Sequence, residues 1–185
     1  MKHFAAVACT LPVVAALWLF GNAYAQVPSG KDVVTPTAYV SHDPVARGMA
    51  FQVAVVMKIR PGFHVNAREV SEDYLIRTDL KTEPHAGFKA GEVSYPKGTL
   101  QTFSFSKNKP LNVYSDSVTL RVPVTALTDA PVGEQHLTFK LRYQACSNEI
   151  CLPPVTLPVD VALKVTPNAG SARPANPQMF SSASH

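Results

Sequence analysis

The sequence predicts an all-β protein, a single-domain immunoglobulin-like antiparallel β-sandwich. Three observations carry this. Four runs alternate apolar and polar residues with period two, the mark of strands with one buried face. Turn signals separate the runs at short, regular spacing. No long segment repeats with the 3.6-residue period of a helix.

The first run is Phe51, Val53, Val55, Met57 and Ile59, closed by the turn Arg60-Pro61-Gly62. The second is Val118, Leu120, Val122, Val124 and Ala126, followed by the turn Pro131-Val132-Gly133-Glu134. The third is Leu137, Phe139, Leu141 and Tyr143, with Thr138, Lys140 and Arg142 facing outward. The fourth runs from Val155 through Leu157, Val159, Val161 and Leu163 to Val165, against Thr156, Asp160 and Lys164. Shorter strand candidates are 38–41, 63–66, 74–77 and 92–95, the last closed by Pro96-Lys97-Gly98. Pro123 and Pro158 cannot donate to a ladder, so each is expected at an edge or a bulge.

Residues 1–25 read as a secretory signal, with Lys2 at the positive end, an apolar stretch over 4–20 and the small-x-small site Ala23-Tyr24-Ala25. The stretch is short for a spanning helix, which needs about 20 residues, and Pro12 interrupts it. Cys9 should leave with the signal. Residues 26–36 are then an N-terminal extension, 37–165 the domain, and 166–185, rich in Pro, Ala, Ser and Asn, a flexible tail. The expected location is the periplasm, with no stable membrane insertion after cleavage. The formal net charge of +4 falls by one when Lys2 is removed. That is too weak and too dispersed a charge to argue for nucleic acid or an anionic membrane.

Chemistry concentrates in Cys146-Ser147-Asn148-Glu149-Ile150-Cys151, which holds the two cysteines that survive signal cleavage. An even count in an oxidising compartment points to a disulfide. Four intervening residues allow one if the loop turns back on itself. The loop is short, and chain-entropy arithmetic gives it about 2 kcal/mol. A sandwich of this size folds without that contribution, so two readings stand: a structural clip on a hairpin, or a bond that exchanges. The position favours exchange as much as clipping, because a connecting loop is open to an incoming thiolate and either thiol has one resolving partner.

The segment Arg142-Tyr143-Gln144-Ala145-Cys146 through Cys151-Leu152-Pro153-Pro154 resembles the Tyr-Gln-x-Cys…Cys-x-Pro-Pro signature of the DsbD N-terminal periplasmic domain family. DsbD is a thiol:disulfide interchange protein. Pro61-Gly62-Phe63-His64-Val65-Asn66 is similar too, as is Tyr114 through Val124, preceded by Phe103 and Phe105. The likeness covers about residues 37–165. It implies an immunoglobulin-like fold and a thiol–disulfide interchange activity with no cofactor, since the sulfurs carry the electrons. It further implies that Cys151 forms mixed disulfides and Cys146 resolves them, under an aromatic cap. Phe105 is the first candidate for the cap and Phe103 the second, while Phe63, His64 and Asn66 line the site. The implied partners are thioredoxin-like or membrane electron-transfer proteins and periplasmic disulfide substrates. Three departures stand out. The cysteines enclose four residues, where well-known members have five. Gln101, Thr102 and Ser104 replace the acids that precede the family's cap aromatic, a loss Glu149 could partly offset. The membrane segment and thioredoxin-like domain fused in DsbD are not in this chain.

Other readings compete less well. His64 and His136 could join the cysteines in a copper or zinc site, yet no Cys/His spacing matches a known ligand set. A Cys–His hydrolase lacks an identifiable orienting group. Glu69, Glu72 and Asp73 read as a solvated loop face. The rival of another class is a non-catalytic β-sandwich protein-binding module whose disulfide pins a loop.

Overall fold

The computed structural model describes residues 28–181; the expected signal, with Cys9, lies outside them. Twelve strands are named among the described residues. β1 (Val34–Val40), β3 (Ala50–Ile59), β9 (Ser117–Ala126) and β6 (Phe88–Ala90) form one sheet in that order. β2 (Val45–Ala46), β12 (Val155–Thr166), β10 (Gly133–Tyr143) and β5 (Asp79–Thr82) form the second. All pairings are antiparallel except the short contact of β2 with β12. The alternation read from the sequence becomes the shared core: Phe51, Val53, Val55, Met57 and Ile59 meet Leu120, Val122 and Val124 of the same sheet and Phe139, Leu141, Val161 and Leu163 of the other.

A third, smaller sheet sits where strands of both larger sheets end. β11 (Ala145–Cys146), β4 (His64–Asn66), β8 (Leu111–Tyr114) and β7 (Thr99–Gln101) form it in that order. β4 follows β3 through the turn at Pro61-Gly62, where Phe63 N donates to Arg60 O at 3.1 Å. Gly62 has φ +82°, the left-handed conformation that the third position of a type II turn demands. β11 continues β10, and β8 leads into β9. The end sheet is therefore anchored by three long core strands.

Several sequence expectations change. Residues 74–77 are not a strand: Tyr74 is exposed and Leu75 buries itself in a separate apolar cluster. The strand of this region is β5, in which only Leu80 is buried, too little pattern to read from sequence. Residues 92–95 form an isolated bridge at Ser94 instead of a strand, and β6 precedes them. Pro123 lies within the central strand β9. Gly91 N donates to Pro123 O, and the β6 pairing ends there, at Ala90. Pro158 lies where β12 pairs with β10 alone, since β2 reaches only Val165 and Thr166.

The ends also differ from expectation. Order begins ahead of residue 37: Ser29 caps a turn at Gly30–Asp32, and the buried Tyr143 hydroxyl donates to Gly30 O at 2.8 Å. Burial pushes the Tyr143 phenol up to about 12. β12 extends to Thr166, and the segment expected as a flexible tail is laid along the sandwich as far as Ser181. Ala175 N donates to Ser41 O, Asn176 Nδ2 to Val40 O, and Arg121 Nη2 to the Met179 carbonyl. Composition hid this because hydrogen bonds to β1, its following turn and Arg121 of β9 hold the segment, with few large apolar side chains to announce it. No helix among the described residues is long and apolar enough to cross a membrane.

Candidate redox site

The end sheet has two chemically distinct faces, and period two sorts its residues between them. Val65, Ala145, Tyr114 and Leu152 belong to the main core. His64 and Asn66 on β4, Cys146 on β11, and Leu111 and Val113 on β8 alternate with them and so face the other way. That face is covered by a second apolar cluster of Leu75, Phe103, Leu111 and Val113, with Val70 and Phe105 partly buried beside it.

The two cysteines are bonded, with Cα atoms 3.9 Å apart. They face each other across a tight hairpin. Leu152 N donates to Ala145 O and Ser147 N to Ile150 O, both at 2.8 Å, so Cys146 and Cys151 form the pair between these bonds, where antiparallel strands approach most closely. Ser147 Oγ accepts from Glu149 N and Ile150 N at 3.2 Å and fixes the turn. A four-residue spacing thus suffices for the bridge.

Exposure divides the pair. Cys146 is 0 % exposed, flanked by β4 on one side and by Cys151 on the other. Cys151 lies at the outer edge and is exposed. One sulfur of the bond belongs to a residue open to an incoming thiolate; the other belongs to a residue sealed inside.

Cys146 pairs in register with His64. The His64 ring stacks on Phe103 with centroids 3.8 Å apart and planes 13° from parallel, and Phe105 lies parallel to Phe103 at 5.6 Å. Phe103 is buried and Phe105 half-buried, so Phe103 is the inner layer and Phe105 the outer. Phe103 caps and Phe105 sits within one 3-10 turn, Ser104–Ser106, in which the Ser106 hydroxyl accepts from Phe103 N at 3.1 Å and donates to Phe103 O at 2.9 Å. Lys107 and Asn108 then take left-handed conformations and return the chain to β8. Ser104 Oγ donates to the Asn148 carbonyl, tying the aromatic turn to the tip of the cysteine hairpin.

His64 is buried, and desolvation lowers its pKa from 6.5 to about 4. Its Nε2 has no hydrogen-bond partner among the described residues. Asn66 is fully buried; its Nδ2 donates to Ile76 O at 3.0 Å and to Gln144 Oε1 at 3.4 Å, while its Oδ1 has no donor. Phe63 is half-buried and packs against the main core instead of facing the sulfurs. Glu149 is exposed at the hairpin tip. His136 faces solvent toward the far end of β10, well away from the cysteines.

Two contributors were not singled out from sequence. Gln144 accepts from Ile76 N and donates to Leu152 O at 3.3 Å, holding the hairpin to the neighbouring loop. The signal was present: Gln144 precedes Cys146 by two, which puts it on the same face. Ser104 figured only as a replaced acid, and its tie to Asn148 could not be read without the fold.

The matching family model is that of the thiol:disulfide interchange protein DsbD, N-terminal, and it spans residues 31–163. The chain belongs to the DsbD N-terminal domain family. Members of this family are periplasmic domains, and the Cys146–Cys151 bond supports a thiol–disulfide exchange module. Among solved structures, the N-terminal domain of Neisseria meningitidis DsbD in the reduced form is similar at 20% identity and a TM-score of 0.44, over 80% of this chain and 95% of that one. The N-terminal periplasmic domain of ScsB from Proteus mirabilis is similar at 12% identity and a TM-score of 0.46, over 70% of this chain and 46% of that one. No curated protein matches this chain.

Proposed function

We propose that this protein is a periplasmic module, exported by the sequence at 1–25, that relays reducing equivalents between partner proteins through Cys146 and Cys151. The observation that carries the reading is the asymmetry of the bond, with Cys151 exposed and Cys146 buried. Exchange requires an attacking thiolate to reach one particular sulfur. Here a partner thiolate attacks Cys151 Sγ, the Cys146–Cys151 bond breaks, and its electron pair leaves on Cys146. A second partner thiol attacks the mixed disulfide, leaving the partner oxidised and this domain reduced. An oxidised acceptor then draws the two electrons by the reverse steps.

The Phe103–Phe105 turn acts as the cap. It covers the face that carries Cys146, and among the described residues its hydrogen bond to the hairpin runs from the Ser104 hydroxyl to the Asn148 carbonyl. A docking partner can replace that bond with its own. Fitting donors and acceptors are thioredoxin-like domains or membrane electron-transfer proteins, and disulfide-bearing periplasmic proteins.

The test is a trap. In Cys146→Ser the mixed disulfide on Cys151 cannot be resolved internally and should accumulate as an adduct with a periplasmic protein, released by dithiothreitol. If no adduct forms under either oxidising or reducing conditions, the relay is refuted and a loop-pinning disulfide remains.

A further inference from the structure

Exchange places or removes charge on Cys146, and the inference that follows rests on the exchange reading above. Cys146 is fully buried beneath an aromatic cap, where an unaccompanied thiolate is strongly disfavoured. The sulfur needs a proton partner that shares its enclosure.

The register supplies one. Cys146 and His64 are directly opposed on β11 and β4, so their side chains leave the same face as neighbours, with Cβ atoms about 5 Å apart. Phe103 holds the plane of the imidazole by stacking, and His64 Nε2 is buried without a partner. Buried polar atoms are rarely left unpaired, and the exceptions call for a functional account. Asn66, two residues along the same face, presents a second: its Oδ1 accepts nothing, and its orientation is fixed because Nδ2 already serves two acceptors. His64, with its unpartnered nitrogen, thus stands opposite the resolving cysteine in register, and Asn66, with its unpartnered oxygen, follows two residues along the same face. Burial keeps His64 unprotonated at neutral pH, its pKa lowered to about 4.

Among the described residues, the ionisable groups of the neighbouring elements point elsewhere, and Cys151 has no proton to exchange while it is held in the mixed disulfide. On the cap, Lys107 and Lys109 are exposed, and Lys109 is held by Glu72 at 2.8 Å. Glu149 is exposed on the hairpin, and Tyr114 of β8 lies on the opposite face, in the main core.

We propose that His64 is the proton partner of Cys146. As Cys146 attacks the mixed disulfide on Cys151, its sulfur electron pair forms the Cys146–Cys151 bond, and the Cys151–partner bond breaks with its pair leaving on the partner sulfur. The thiol proton of Cys146 passes to His64 Nε2. In the opening direction the proton lost by the attacking partner thiol is taken up by His64, which passes it to Cys146 as that sulfur leaves.

Titration of the reduced protein with dithiobis(nitrobenzoate), a small aromatic disulfide, separates the steps. Attack by Cys151 releases a first coloured thiolate, and resolution by Cys146 releases a second. In His64→Phe, which keeps the aromatic wall without a nitrogen, the second release should slow by about 100-fold at neutral pH. Its rate should then climb with pH toward the ordinary thiol range, while the wild-type rate stays level until His64 protonates on the acid side. The first release should change far less. His64→Gln should behave alike, and it decides the matter if His64→Phe does not fold. A second release at the wild-type rate and pH profile in a folded variant overturns the role of His64 and leaves exchange standing. A wild-type protein that gives no second release overturns exchange, and the role of His64 with it.

Discussion

The two faces of the end sheet alternate residue by residue and differ in almost every physical respect. Val65, Ala145 and Leu152 close the main sandwich core with apolar contacts and strand hydrogen bonds. Their immediate neighbours His64, Cys146 and Cys151 carry two sulfurs, an imidazole with a bare nitrogen and an edge open to solvent. A short aromatic turn with its own small cluster covers His64 and Cys146, and Cys151 stays open at the edge. The first face needs no change of state to do its work. Under the proposed function, the second must seal Cys146 when closed and yield when a partner docks. One scaffold delivers both because adjacent residues on a strand point to opposite sides.

This contrast can be broken from either side. The largest effect is expected from Phe139→Ala, which empties a fully buried site in the main core and should cost about 4 kcal/mol by denaturant unfolding. Its disulfide should stay as reactive as in the wild type wherever the variant is folded. Acidification comes next. His64 binds a proton more weakly in the folded protein, at about 4, than in the unfolded chain, at 6.5. The unfolded chain therefore holds the extra proton between these values, and acid favours unfolding. Stability should be full above 6.5 and fall by about 3 kcal/mol as pH drops to 4, a loss that His64→Phe should abolish.

Changes to the cap should show the opposite balance. Phe105→Ala removes the half-buried outer ring and should cost about 1 kcal/mol of stability. It should speed disulfide reduction by small thiols about fivefold, the factor that about 1 kcal/mol of local opening carries. Ser104→Ala should be the mildest, releasing the hairpin tip with under about 1 kcal/mol of destabilisation and a few-fold faster reduction. If Phe105→Ala and Phe139→Ala instead produce the same ratio of stability loss to reactivity gain, the two faces are energetically one unit.

Sequence made one of these faces far more legible than the other. The strands β3, β9, β10 and β12 are long enough for alternation to be counted, and every inward residue of the first run is buried as the pattern requires. The end sheet offers no such statistics, because β11 has two residues and β4 three. That Cys146 is the sealed member and Cys151 the open one follows from hairpin register and from β11 being an edge strand. Neither is encoded in spacing. The pair itself is visible because the third cysteine, Cys9, falls in the expected signal, and Phe103, Phe105 and His64 enter through family resemblance. Their mutual stacking depends on a 3-10 turn that no periodicity announces. Leu75 was misread for a similar reason: one apolar side chain in a loop can anchor a cluster as well as a strand can.

The central claim is that the Cys146–Cys151 bond opens and closes within an intact sandwich. Its most direct test is the reduction potential, measured by equilibration with glutathione while near-ultraviolet circular dichroism follows the fold. A potential above about −300 mV with the tertiary signal retained is the expected result. A potential below that value, or reduction only together with loss of the tertiary signal, would contradict the account.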